Sequence, residues 1–243
     1  MKQCILQKPS DIKDVFGAFL VKNATFTHGK FDMPVVKSNI DSIPAAVLSY
    51  HKVGKKKLDL LPGTALHFYN YDYIFDGKYG VWNSLINGVS FARGFNLEKI
   101  QDFDCVIVPD YSLYTDMPIA WQIWNVYRSR VVAHALQNLG YKVIINARWA
   151  DSASYEFCFE GISVGSIVAV SSYGCAKSFD DRKLFDLGLE EMIKRIHPET
   201  IIFYGSVTDT TKLILTQRMQ KYVVFESDMS ISMKGVSNHG DEG

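Results

Sequence analysis

Five stretches of this chain, Phe103–Val108, Lys142–Arg148, Ser166–Ser172, Thr200–Tyr204 and Tyr222–Glu226, are short and mostly apolar at consecutive positions. A strand with one wet face alternates apolar and polar residues. A strand apolar throughout needs cover on both faces. Between these stretches lie Met117–Leu139, Asp180–Ile196 and Thr208–Met219, which read as helices. Strands that alternate with helices are joined by crossovers and pair in parallel. The expected fold class is α/β, a mostly parallel sheet with helices on both faces.

The helix ends carry their own signals. Asp116 is expected to cap the helix after the first stretch, with Pro118 in its first turn and Gly140 just past its end. Ala120, Trp124, Tyr127, Val131 and Ala135 would form its core stripe, with Trp121 and Trp124 packing. Arg128 and Arg130 would be solvated or ion-paired. Asp180 would cap the next helix, whose stripe is Phe185, Leu189, Met192, Ile193 and Ile196, and Pro198 stops it. Residues 1–63 read as an irregular part, with an edge strand or extended segment near residues 31–36, and Thr64–Tyr69 reads as a further strand. Residues 1–229 are expected to form a single α/β domain, and 230–243 a flexible polar tail.

Charge narrows the partners. The chain has 243 residues, with 26 basic and 26 acidic side chains. A neutral chain does not coat nucleic acid by bulk electrostatics, so any such contact is a local patch. The run Lys52–Lys57 reads as a basic loop. The 13 Tyr and 15 Phe leave rings to spare beyond the core, at loop ends where they can stack. Cys105 and Cys158 sit in apolar runs and read as buried thiols. No window approaches eighteen apolar residues, so no membrane contact is expected and the location is read as cytoplasmic.

Several chemistries lack their motifs. There is no GxxxxGK[ST], no GxGxxG opening a helix, no HExxH and no GxSxG. The six His are scattered. No cofactor and no metal are expected. What remains is a row of side chains at the carboxyl ends of the strands, where parallel sheets bind ligands. Asp110 and Tyr111 follow the first strand. Asn146 lies within the second, and Arg148, Trp149 and Asp151 follow it. Ser171, Ser172 and Tyr173 end the third, and Tyr204 the fourth. Ser171 and Ser172 have no evident His partner for nucleophilic work.

Acids, a guanidinium and stacking rings suit glycosidic cleavage. Breaking a glycosidic bond develops positive charge on the sugar, which a carboxylate stabilises while it positions a water. The candidate catalytic residues are Asp110 and Asp151. Tyr111, Asn146, Arg148, Trp149, Tyr173 and Tyr204 are the candidate substrate-binding residues.

The text Pro109–Pro118, with His67-Phe-Tyr, Asp72, Gln122–Arg130, Phe157–Ile162, Gly165–Val170 and Ile196–Gly205, resembles a domain-of-unknown-function family of bacterial, phage and mobile-element proteins. That resemblance implies a mobile-element setting and supplies no activity. Val106-Ile-Val-Pro-Asp-Tyr-Ser is also similar to the water-positioning strand end of uracil-DNA glycosylases, with Asn146 as analogue of a base-reading Asn. The Gly-Gln before that Asp, the Pro after it and the late His-Pro-Ser-Pro are absent here. The expected function is a nucleic-acid-acting hydrolase, most simply DNA glycosylase-like, with DNA as partner. A non-enzymatic replication-accessory or inhibitor protein is the alternative. The third reading is a metal-dependent nuclease using Asp72, Asp110, Asp116, Asp151 and Glu156.

Overall fold

In the computed structural model, which describes residues 17–53, 60–87, 97–173, 178–228 and 230, each apolar run becomes a strand. The strands are β1 (Ala46–Ser49), β2 (Thr64–His67), β3 (Cys105–Ile107), β4 (Val143–Asn146), β5 (Val168–Ser171), β6 (Ile201–Tyr204) and β7 (Tyr222–Phe225). They form one seven-stranded sheet in chain order, and every pairing is parallel. The α/β class and the parallel sheet are as expected. Strand β1 falls within the stretch read as irregular, because four residues after Pro44 are too short to show a period. The segment near residues 31–36 makes only isolated bridges, Phe26 with Pro34 and Val36 with Ile162.

The helices are α1 (Asp72–Phe75), α2 (Val81–Asn87), α3 (Leu97–Ile100), α4 (Ile119–Asn138), α5 (Phe179–Ile196) and α6 (Asp209–Gln217). A sheet that adds each strand to the same edge by right-handed crossovers carries its helices on one face. The packing agrees. Val106, Ile145, Val170 and Phe203 join helical Val132, Leu136, Leu189, Met192 and Leu215 in the main core. The opposite strand face, with Ala65, Cys105, Ile107, Ile144, Ala169 and Ile202, packs with Ile40, Ile43 and Ile167 and with no described helical residue. Helices were expected on both faces; the second face is covered by the sheet itself, which is rolled. In a flat sheet β2 and β6, four steps apart, would be roughly 19 Å apart at about 4.8 Å per step. Yet the rings of His67 (β2) and Tyr204 (β6) are 4.2 Å apart. Lys52, just after β1, pairs with Asp228, just after β7, at 2.7 Å.

Helix α4 buries the second half of the stripe that its apolar spacing indicates, Val131 and Ala135 with Tyr127 packed alongside, but its first half turns a polar face inward. Ala120 is exposed and Trp124 is 40% exposed, while Gln122, Asn125, Ser129 and Arg130 are buried. Their donors find backbone carbonyls on neighbouring loops. Gln122 bonds Tyr114 and Met117, Asn125 bonds Ser112, and Ser129 bonds Pro109. Arg130, 2% exposed, donates to the carbonyls of Asn146, Cys158 and Glu160. Burial lowers its pKa to about 10, so it stays charged at neutral pH. Arg128 is ion-paired, at 2.6 Å from Asp76. Trp121 is exposed, whereas Trp124 packs on Trp82 and Tyr127.

Two caps differ from expectation. Pro118 precedes α4 and no side chain caps it, so Asp116 is free of that role. Ser178, not Asp180, caps α5, in a reciprocal pair with Asp181. Cys105 and Cys158 are buried as expected, and burial pushes both thiols up to about 12. Residues 54–59, with most of the basic run, and 231–243, nearly all of the expected tail, lie outside the described residues. Among the described residues no helix is long and apolar enough to cross a membrane.

One position tests the packing of α5 against the site. A Cβ at Gly188 would lie inside the van der Waals envelope of the Trp149 indole. In an exposed helix, Gly→Ala gains about 1 kcal/mol. Here Gly188→Ala is expected to lose about 1–3 kcal/mol by overpacking, read from denaturant midpoints.

Candidate active site at the carboxyl edge of the sheet

Parallel strands bring their carboxyl ends to one edge, and this sheet is polar there. The last residues of β1, β2, β4, β5 and β6 are Ser49, His67, Asn146, Ser171 and Tyr204, and all five are buried. Two residues earlier the same strands carry Val47, Ala65, Ile144, Ala169 and Ile202, all in the apolar inner cluster. The roll therefore has an apolar base and a polar crown. In barrels of parallel strands the carboxyl end is where ligands bind.

Strand β3 contributes Asp110, three residues past its end. Helix α4 holds this loop through Ser129 on the Pro109 carbonyl and Asn125 on the Ser112 carbonyl. Asp72 receives the Ser112 amide and hydroxyl from the other side. Asn146 Nδ2 donates to Asp110 Oδ1 at 2.7 Å, and Arg148 Nη1 lies 3.6 Å from Oδ2. The Asp110 and Arg148 side chains remain 12% and 19% exposed. Burial pushes the Asp110 carboxyl above the usual carboxylate range, while Arg148 and Asn146 pull it back.

Tyr69 and His67 complete the crown. The Tyr69 hydroxyl donates to Asn146 Oδ1 at 3.0 Å, and its ring stacks on Tyr204, with centroids 5.0 Å apart. The Tyr69 amide donates to His67 Nδ1. That bond places the imidazole proton on Nε2, a buried donor with no hydrogen-bond partner among the described residues. Burial pulls the His67 pKa down to about 3, with His51 and Lys52 adding and Asp228 opposing.

Beside the crown opens a cleft of about 340 Å³, lined among others by Tyr114, Asp116, Arg148, Ser171, Asp181 and Phe185. Of the sequence candidates, Asp110, Asn146, Arg148 and Tyr204 come together, and Tyr173, 41% exposed, meets the Tyr204 ring edge-on. Trp149 is buried against Phe159 and Phe185 in the cleft wall. Tyr111 offers no face for stacking: it is buried between the Arg128 guanidinium and Phe75. Asp151 caps the short helical turn Ser152–Glu156 and lines a different groove. Ser171 and Ser172 donate to the carbonyls of Tyr204 and Ser206. Asp72, Asp110, Asp116, Asp151 and Glu156 do not gather; among the described residues no group of three or more His, Cys, Asp or Glu could hold a metal ion. Tyr69 and His67 were absent from the candidates. The alternation Ala65, His67, Tyr69 marks them as one face of β2 and its continuation, which is the signal that finds them.

His67 sets an acid limit on stability. The unfolded chain takes this proton near pH 6.5 and the folded one near 3, so stability falls as pH drops through that window. Relative to His67→Phe, the wild-type protein should lose about 1.4 kcal/mol more per pH unit between about pH 6 and 4, measured by chemical denaturation. Equal slopes would mean that His67 titrates as in a free chain.

Comparison with known proteins places the chain. The DUF4417 profile, described as a domain of unknown function, matches residues 26–222. The Gene 1 protein of Mycobacterium phage L5 is 34% identical over 194 residues, 79% of this chain and 80% of that protein. The Gene 1 protein of Mycobacterium phage D29 is 36% identical over 163 residues, 67% of this chain and 56% of that protein. No solved structure matches. The family expected from the strand-end text is thus the one found, and the chain belongs to DUF4417.

Proposed function

We propose that this chain is a hydrolase that cleaves the N-glycosidic bond of a base, modified bases included, in DNA. One observation carries the reading: the Asp110 carboxylate is held between Asn146 and Arg148, and Arg148 in turn lines an open cleft. A carboxylate raised by burial is a stronger base than one in water, and general-base help from a placed group is worth about 10²–10⁴-fold. Asp110 takes a proton from water as the water attacks C1′. The C1′–N bond breaks and its electron pair leaves with the base. Arg148 faces the cleft and neutralises charge on the departing base. The cleft volume of about 340 Å³ falls in the range of small-ligand sites, roughly 300–1,000 Å³, which suits a base turned out of the stack. Tyr114 lines it and is half exposed, so its ring is available for stacking. We place this activity in the cytoplasm, where Cys105 and Cys158 stay as thiols.

A second reading has its own support. Tyr71 and Tyr73 stack on each other while largely exposed, and Trp121 is also exposed. Such rings suit a binding module that holds a partner without chemistry.

The two readings separate with one substitution. Plasmid, phage and modified-base DNA are incubated with protein and heated in alkali. Wild type is expected to release free base and leave alkali-labile sites. Asp110→Asn should lower the rate about 10²-fold or more with the fold intact by circular dichroism. A protein that releases no base from any of these DNAs, or an Asp110→Asn variant as active as wild type, ends the glycosylase reading. A partner captured equally by both forms supports the binding module.

A further inference from the structure

Two hydrogen bonds in series connect Asp110 to the interior of the roll. Asn146 Nδ2 donates to Asp110 Oδ1, and the Tyr69 hydroxyl donates to Asn146 Oδ1. Chemistry dictates their direction. An ionised carboxylate only accepts, so the Asn146 amide must turn its NH2 toward Asp110. Its carbonyl oxygen then faces Tyr69, and since that oxygen only accepts, the phenol must donate. Tyr69 is fixed in place: its ring lies on Tyr204 and near His67, its amide is tied to His67 Nδ1, and it is buried. Burial, with the Asp110 charge next, raises the phenol well above its usual pKa, so the donor proton is retained throughout the working range. The Asn146 backbone is pinned as well, its carbonyl accepting from Arg130. The carboxylate thus selects one rotation of the Asn146 amide, and the Tyr69 hydroxyl, donating to its carbonyl oxygen, holds it there.

We propose that Tyr69 is a positioning residue that fixes the Asn146 amide, so that Asp110 receives an N–H instead of a carbonyl oxygen and stays ionised beside Arg148, which lines the cleft. This rests on the reading of Asp110 as the water-activating carboxylate. Without the hydroxyl, the Asn146 oxygen is a buried acceptor with no donor. The flipped amide then sets oxygen against oxygen at 2.7 Å separation, which favours the protonated carboxyl.

The test titrates the Asp110 carboxyl by carbon-13 NMR, which needs no substrate. Tyr69→Phe keeps the ring and is expected to raise the Asp110 midpoint by about half a pH unit or more, the equivalent of one lost neutral hydrogen bond. Tyr204→Phe removes a hydroxyl from the same stack outside the chain of bonds and should leave the midpoint in place. Asn146→Ala should raise it, and the double variant Tyr69→Phe/Asn146→Ala should match Asn146→Ala alone. An unmoved midpoint in Tyr69→Phe, an equal shift in Tyr204→Phe, or additive shifts in the double variant each overturn the proposal. Should Tyr69→Phe fail to fold, the wild type supplies a second readout. The Tyr69 hydroxyl proton should appear as a slowly exchanging resonance with a cross-peak to the Asn146 side-chain amide, and its absence also overturns the proposal. Where base is released, the acid limb of the pH–rate profile should move with the Asp110 midpoint. If the midpoint moves as expected and no base is released from any DNA, the relay stands and the glycosylase reading alone falls.

Discussion

A parallel sheet that grows at one edge leaves one of its faces without helices, and that face must still leave water. Here the inner face carries Val47, Ala65, Cys105, Ile107, Ile144, Ala169 and Ile202. Burying apolar surface is worth about 25 cal/mol per Å², so an open sheet of this composition would forfeit a large favourable contribution. Rolling the sheet buries the face against itself. The roll brings β2 next to β6 across the interior, and the His67–Tyr69–Tyr204 ring group is the visible result. The same curvature turns the carboxyl ends of the strands from a line into a crown. The candidate site exists because of that geometry.

Curvature alone would leave the crown loops loose. Their order comes from the polar stripe of α4. Gln122, Asn125 and Ser129 hold carbonyls along the loop after β3, and Arg130 holds those of β4 and the 158–160 segment. A buried polar group without a partner costs about 1–3 kcal/mol, so each side chain penalises any other loop path. Arg130 goes further, because among the described residues no carboxylate pairs with it and its charge rests on three carbonyl dipoles. Displacing any of those segments would strand a buried cation. Asp110 and Asn146 therefore sit on backbone that is fixed before any ligand arrives, the kind of preorganisation that electrostatic catalysis requires.

The crown also sorts its ionisable groups by burial. Asp72 and Asp110 are both raised chiefly by desolvation, and each is partly restored, Asp72 by hydrogen bonds from Ser112 and Asp110 by the Arg148 charge and the Asn146 hydrogen bond. His67 is pushed the other way by the same physics, since burial always disfavours the charged form. A neutral imidazole thus lies behind a carboxylate flanked by a guanidinium. That division follows from which side chains the roll encloses and which it leaves at the rim.

The α/β class, the parallel pairing and the positions of most strands were legible in the chain, because continuous apolar runs alternating with helical stretches admit few other folds. Asp110, Asn146, Arg148 and Tyr204 could be picked out because strand ends are local features. Three things were not legible. The polar half of the buried face of α4 was hidden, because apolar spacing finds Val131 and Ala135 but cannot report positions that bury Gln122, Asn125, Ser129 and Arg130. Tyr111 as a stacking ring and Asp151 as a second catalytic acid were not separable from the sequence, because strand-end position does not say which way a loop turns; the ring went under Arg128 and the carboxylate went to a helical cap. Tyr69 was passed over because its role depends on Asn146, 77 positions away. The sequence by itself determined the local alphabet of strands, helices and polar strand ends, since these depend on neighbours within a turn or two. Tertiary structure alone decided which of those ends meet, because the sense and degree of a sheet's roll are set by how all its faces are buried at once.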